Sequence, residues 1–170
     1  MADWSRRLES LGITLPAVAA PVAAYAPAVQ SGAHVYTSGQ LPFVDGALAA
    51  TGQVGAAVSA EQAHDLARSC ALNALAAIHA LVGIDSVVRV VKVVGFVASA
   101  PGFTGQPAVI NGASELLGEV FGDVGVHARS AVGVAELPIA RCRCSPRRMS
   151  HGWPLHSPST AARNSSSITA

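Results

Sequence analysis

The sequence predicts a single α+β domain, a mixed sheet carrying two long helices on one face. Three observations predict it. Two amphipathic helical stretches alternate with strand-like apolar runs in the order ββ(β)-α-β-α-β. The 170 residues are 51% apolar and 12% charged, enough to bury one core without staples. Composition then changes abruptly after Pro138, which confines the domain to residues 1–138 and sets off 139–170 as a tail.

Each element has a local reason. Trp4, Leu8 and Leu11 fall at helical spacing and Gly12 stops the run, so Asp3 to Leu11 predicts a short helix. Pro16, Pro21 and Pro27 favour an extended linker. Tyr25 to Val29 and Ala33 to Thr37 predict two strands around a Ser31-Gly32 turn. Asp45-Gly46 predicts a tight hairpin joining Leu41–Val44 to Ala47–Ala50. Ser59, followed three residues later by Gln62, has the capping-box pattern. A stripe of Ala63, Leu66, Ala67, Cys70, Ala74, Ala77, Ile78 and Leu81 comes next, ended by Gly83, and its many alanines allow close packing. Val87 to Ala98 is apolar on both faces except for Arg89 and Lys92, as a central strand would be, and structural partners are expected for both cations. Pro107 suits the first position of a second helix, with Ile110, Ala113, Leu117, Val120 and Phe121 inward and Gly122 closing it. The last strand lies within His127 to Pro138, H-A-R-S-A-V-G-V-A-E-L-P. A sheet with helices on one face leaves the other face bare, to be covered by the tail or by oligomerisation.

Charge and motifs exclude several functions. Through Pro138 there are 6 Lys+Arg against all 10 Asp+Glu, a balance of −4, which disfavours binding of a phosphate backbone by the body. The tail carries 5 Arg, 7 Ser, two of the three cysteines and no acid. Over its length it shows no period of 2 or 3.6, so it is expected to be disordered. No apolar run approaches the length of a membrane span, and the mixed-charge N-terminus does not resemble a secretory signal; the chain reads as cytoplasmic. Cys142-x-Cys144 with His151 and His156 departs from zinc spacing, and Arg141, Arg143, Arg147 and Arg148 would oppose a dication, so no metal or other cofactor is expected. Cys70 reads as a small core residue, His34, His64 and His79 as scattered surface or satisfied histidines, and Ser38 lacks a nucleophile elbow. Arg129 stands out. At the mouth of a buried strand its five fixed donors require an anionic partner, either an Asp or Glu of the fold or a ligand carboxylate.

Four separated motifs then coincide. Tyr25 with T-S-G-Q-L-P (Thr37 to Pro42), V-V-K-V-V-G-F-V ending at Val97, Q-P-A-V-I-N-G-A-S-E-L (Gln106 to Leu116) and the His127–Pro138 stretch together resemble the RidA (YjgF) family. The likeness covers roughly residues 8 to 138. It is nearest to the subgroup with a G-F-V-x-S-A-P-x-F segment and R-S-A-V-G-V. It implies a chorismate-mutase-like fold, a homotrimer whose sheets form an inner barrel, and clefts between subunits. It also implies hydrolysis of enamines and imines such as 2-aminoacrylate to 2-oxo acids and ammonia. Carried over by position, Arg129 clamps the substrate carboxylate, Tyr25, Ser38 and Gly39 line the cleft, the Ala131 backbone faces the substrate nitrogen, and Asn111 is a further candidate. Two features depart from the pattern: Ala131 stands where deaminating members carry Cys, and their acidic residue on a final strand aligns with Cys144. The Arg/Ser/Pro/Cys tract in place of that strand resembles translation in a shifted frame. A non-catalytic trimer that binds small carboxylates is therefore the alternative, and the family's endoribonuclease label fits an acidic body least.

Overall fold

In the computed structural model, which describes residues 3–18 and 24–138, two antiparallel hairpins, one parallel strand pair and three helices surround a single core. Helix α1 (Trp4–Ser10) starts where the Asp3 side chain accepts from the Arg6 N–H. Leu8 is its buried residue, and Leu11, expected inward, is exposed just beyond the helix end. Strands β1 (Ala28–Ser31) and β2 (His34–Thr37) form the first hairpin. Its two turn residues are Gly32-Ala33 rather than Ser31-Gly32, because Gly32 supplies the positive φ that a tight turn needs at its first central position. Strands β3 (Phe43–Val44) and β4 (Ala47–Leu48) form the second, with positive φ at both Asp45 and Gly46 as that pair of residues predicts.

Helix α2 (Ala60–Val82) begins at Ser59, whose hydroxyl accepts from the Gln62 N–H, and ends at Gly83. Its buried face is Ala63, Ala67, Ala71, Asn73, Leu75, Ala76 and Ala77, so the inward stripe lies partly beside the predicted one and Leu81 is exposed. Asn73 is the buried polar side chain among the described residues, and its amide donates to the carbonyls of Leu41 and Phe43. Those bonds hold the second hairpin on the helix. At 23 residues α2 is, among the described helices, the one long and apolar enough to cross a membrane by length and composition, contrary to the expectation of no such run. Part of its apolar surface packs against α3 (Gln106–Phe121), with 28% of the apolar stretch buried. Gly112 faces the His64 carbonyl so closely that any Cβ there would collide with it, and the two helices approach to backbone contact.

Strands β5 (Lys92–Ala98) and β6 (Ala128–Val134) pair in parallel, each shorter than the apolar run that contains it. Residues 87–91 are irregular and come after a single 3₁₀ turn at Ile84–Ser86. Arg89 and Lys92 are exposed and make no hydrogen bond or ion pair among the described residues, so the structural partners expected for them are not seen. One face of the pair lies on α3: Ile110 fills the space above Gly95, and Val97 is buried. The opposite face carries Val94, Phe96 and Val132, which are 49%, 56% and 42% exposed. This is the bare face the layer argument anticipated.

Among the described residues the single mixed sheet is not formed. The strands make three two-stranded ladders. The edge of β5 away from β6 is occupied at one place, where the Val54 N–H donates to the Ala98 carbonyl and the Val54 carbonyl accepts from the Ala100 N–H. With no described strand along the rest of that edge, the hairpins and the parallel pair stay separate. The tail from residue 139, expected to be disordered, lies outside the described residues, as do its cysteines and histidines.

Candidate active site

Arg129 is the second residue of β6, opposite Val93, and its side chain extends over the second and third turns of α3. There its Nη1 donates to Asn111 Oδ1 at 2.7 Å and to Ser114 Oγ at 3.2 Å. Asn111 and Ser114 are three residues apart and so share a helix face. Ser114 Oγ also lies 3.1 Å from His127 Nε2, and His127 Nδ1 lies 2.6 Å from the Gly125 carbonyl. A carbonyl only accepts, so Nδ1 carries the proton. In the neutral imidazole Nε2 then accepts from the Ser114 hydroxyl, leaving the hydroxyl oxygen free to accept from Arg129. The guanidinium is thus held by neutral oxygens. Among the described residues no carboxylate pairs with it.

The remaining expected residues lie on another part of the chain. Ser38 closes the foot of the first hairpin, its hydroxyl donating to the Ala26 carbonyl at 2.6 Å and its N–H to the Pro27 carbonyl at 2.9 Å. Gly39 comes next with open space where a side chain would be, and Tyr25 is 44% exposed beside them. No hydrogen bond joins this hairpin foot to Arg129, Asn111 or Ser114 among the described residues. Ala131 is half-buried on β6. Ladder bonds alternate, and Ala128 and Val134 point theirs toward the β5 side, so the N–H and C=O of Ala131 face outward from the β6 edge.

Sequence reasoning named Arg129 and Asn111 and missed Ser114 and His127. The available signal was spacing, since Asn111 and Ser114 fall one turn apart on a helix that precedes the arginine's strand. The other groups of interest are inert or structural. Burial pushes the Cys70 thiol up to about 12, so it is protonated at neutral pH. His64 sits between Asp65 and Glu115, and His79 Nδ1 accepts from the Ile84 N–H.

Residues 5–144 match the model of a family described as "YjgF/chorismate mutase-like, putative endoribonuclease". The chain belongs to that family. It is 50% identical over 133 residues to Protein TCP17 of Trypanosoma cruzi, covering 77% of this chain and 83% of that one. Crystal structures similar to it include the following two. The Agrobacterium tumefaciens protein Atu1372, described as of unknown function, is 46% identical with a TM-score of 0.72, and the match covers 81% of this chain and 84% of that one. A "putative endoribonuclease" from Shewanella oneidensis is 31% identical with a TM-score of 0.77, covering 81% and 91%. Membership in the YjgF family accounts for the α/β architecture and for the order of the four motifs.

Proposed function

We propose that the chain is an imine/enamine deaminase that converts 2-aminoacrylate-type intermediates to 2-oxo acids and ammonia. The observation that carries this reading is the state of Arg129. A permanent cation is fixed at the end of a strand by Asn111 and Ser114, with no carboxylate of the described fold to neutralise it. Such a group suits a bidentate bond to a substrate carboxylate. With the carboxylate clamped, water adds to the imine carbon, the carbon–nitrogen bond breaks, and ammonia leaves with the protons taken from water. Imine hydrolysis is intrinsically facile, so positioning and an oriented water supply the needed acceleration.

In this reading the working unit is a homotrimer. The hairpin foot with Tyr25, Ser38 and Gly39 and the Arg129 cluster are two half-sites that one chain leaves apart, and a cleft between copies would join them. The exposed Val94, Phe96 and Val132 supply an apolar face for that contact. Light scattering near the monomer mass of 17.1 kDa at micromolar concentration would contradict the trimer.

The second reading is a trimer that binds small carboxylates without turning them over. It is favoured by Cys144 at the place of the family's water-holding acid. Endoribonuclease activity, the description attached to the family model and to the Shewanella protein, suits a body of charge −4 least. One assay separates the first two: release of ammonia or 2-oxo acid from an imine generated by an amino-acid oxidase, with Arg129→Ala as control. Deamination above the buffer rate that is lost in the variant supports the enzyme. Carboxylate affinity with no rate above buffer supports the binder.

A further inference from the structure

Arg129 has a second support besides Asn111, and it begins in the turn before β6. Gly125 is buried against α3, so close that a Cβ there would collide with the Leu117 carbonyl. Its own carbonyl is thereby fixed, and it accepts from His127 Nδ1 at 2.6 Å. That bond leaves Nε2 of the neutral ring as an acceptor, 3.1 Å from Ser114 Oγ. Ser114 lies inside α3, where a serine hydroxyl ordinarily turns back to the carbonyl one turn earlier, here that of Ile110. Drawn to Nε2 instead, the hydroxyl presents a lone pair to Arg129 Nη1.

The donors thus run one way, from Arg129 to Ser114, to His127, to the Gly125 carbonyl, and each bond polarises the next. No acid intrudes. Glu115 and Glu119 of α3 bond to His64 and Arg68 of α2. Asp123 in the preceding turn makes no hydrogen bond or ion pair with these groups among the described residues, nor do Arg89 and Lys92 on the β5 side.

A guanidinium offers a carboxylate an end fork, Nη1 with Nη2, and a side fork, Nε with Nη2. The bonds to Asn111 and Ser114 both fall on Nη1, and among the described residues nothing bonds to Nε or Nη2. The end fork is therefore partly spent, whereas the side fork keeps both of its nitrogens for a ligand. A single bond to Asn111 would let the guanidinium swing about it. The second bond, to Ser114, pins Nη1 between two oxygens on one helix face.

We infer that His127 is a positioning residue which, acting through Ser114, sets Arg129 to receive a ligand carboxylate side-on, through Nε and Nη2. The inference rests on the carboxylate clamp proposed above; it adds the edge that is used and the residue that selects it.

The test uses the full chain with pyruvate as the probe. Its main readout is the Arg129 Nε–H resonance, identified by its loss in Arg129→Lys. Pyruvate should move that resonance downfield and slow its exchange with water. Nitrogen shifts of His127 should place the proton of the neutral ring on Nδ1. Ser114→Ala and His127→Phe should each weaken pyruvate binding by about three- to tenfold, the reach of one hydrogen bond. The double variant should bind as Ser114→Ala does, because His127 acts through the hydroxyl alone. Losses that add would overturn the inference, since His127 would then only prop the fold. So would full affinity in Ser114→Ala, a neutral ring protonated on Nε2, or a Nε–H resonance that bound pyruvate leaves unmoved. Two of these readouts are taken on the unsubstituted chain, so a His127→Phe variant that fails to fold does not shield the inference. The deaminase reading fails separately: a shifted Nε–H without turnover sinks the enzyme and keeps the side-on clamp, and turnover with an unmoved resonance does the reverse.

Discussion

The two faces of the β5–β6 pair share one backbone and have opposite fates. On the inner face Gly95 lies under Ile110 and Val97 is buried, because α3 presses against the ladder. On the outer face the opposed residues Phe96 and Val132 stand in solvent, though they are as apolar as anything inside. Residue type therefore does not distinguish a core face from a contact face. What distinguishes them is whether a helix of the same chain can reach. Among the described residues nothing covers the outer face, and exposed apolar area of this kind is what a contact surface presents.

Breaking the inner face should produce the largest effect. Leu116 on α3 is 0% exposed, and Leu116→Ala should cost about 2–5 kcal/mol of unfolding free energy, read by chemical denaturation. Arg129 sits at the open end of the inner face, exposed and bonded to Asn111 and Ser114 of α3. Arg129→Ala should weaken carboxylate binding by about 2–5 kcal/mol, the range for removing one side of a desolvated charge pair. Arg129→Lys should fail as well, because a point charge does not reproduce two parallel bonds. Titration calorimetry with a small 2-oxo acid checks both, and a lysine variant of full affinity would sink the bidentate clamp.

The outer face should respond in the reverse sense. Phe96→Asp should change the stability of the isolated chain by no more than about 0.5 kcal/mol, as surface substitutions do, yet shift sedimentation toward the monomer. An assembly that tolerates this charge would separate the bare face from oligomerisation. The smallest effect lies away from both faces. Asp85 accepts from the Ser5 hydroxyl at 2.6 Å and the Ser5 N–H at 2.9 Å, and these bonds lower its carboxyl from the ordinary value. A lowered carboxyl contributes its stability above about pH 4, the unfolded value, and loses it as pH falls through the folded one. Acid titration of unfolding should therefore show a small loss on that side, absent in Asp85→Asn.

Local chemistry was legible in the sequence. The Ser59 cap, the Asp45-Gly46 turn and the glycine stop after α2 arise from rules acting over a few residues. The α3 face of the site was half legible, since Arg129 and Asn111 belong to the family's motifs. Ser114 and His127 did not announce themselves, because their roles depend on α3 lying beside the start of β6. The failure of the single sheet has the same origin. Strand pairing is decided by neighbours remote in sequence, and the composition of Val87 to Ala98 carries no record of which edge is filled. Asn73 is the converse case. Its amide looks out of place in an alanine stripe until the carbonyls of Leu41 and Phe43 are brought opposite it.

The contacts of α1 bear on the order in which this chain acquires its structure. Trp4 donates its indole N–H to the Val87 carbonyl at 2.9 Å and meets the ring of Phe121 edge-on, with centroids 5.2 Å apart. Ser5 reaches Asp85 across 80 positions of sequence. Helix α1 thus finds its partners 80 or more positions later in the sequence. Closing so long a loop carries an entropic cost that the rest of the fold must offset first. Helix α1 is therefore secured through long-range contacts, and the fluorescence of Trp4 during refolding, read with Trp153→Phe in place, reports when they form.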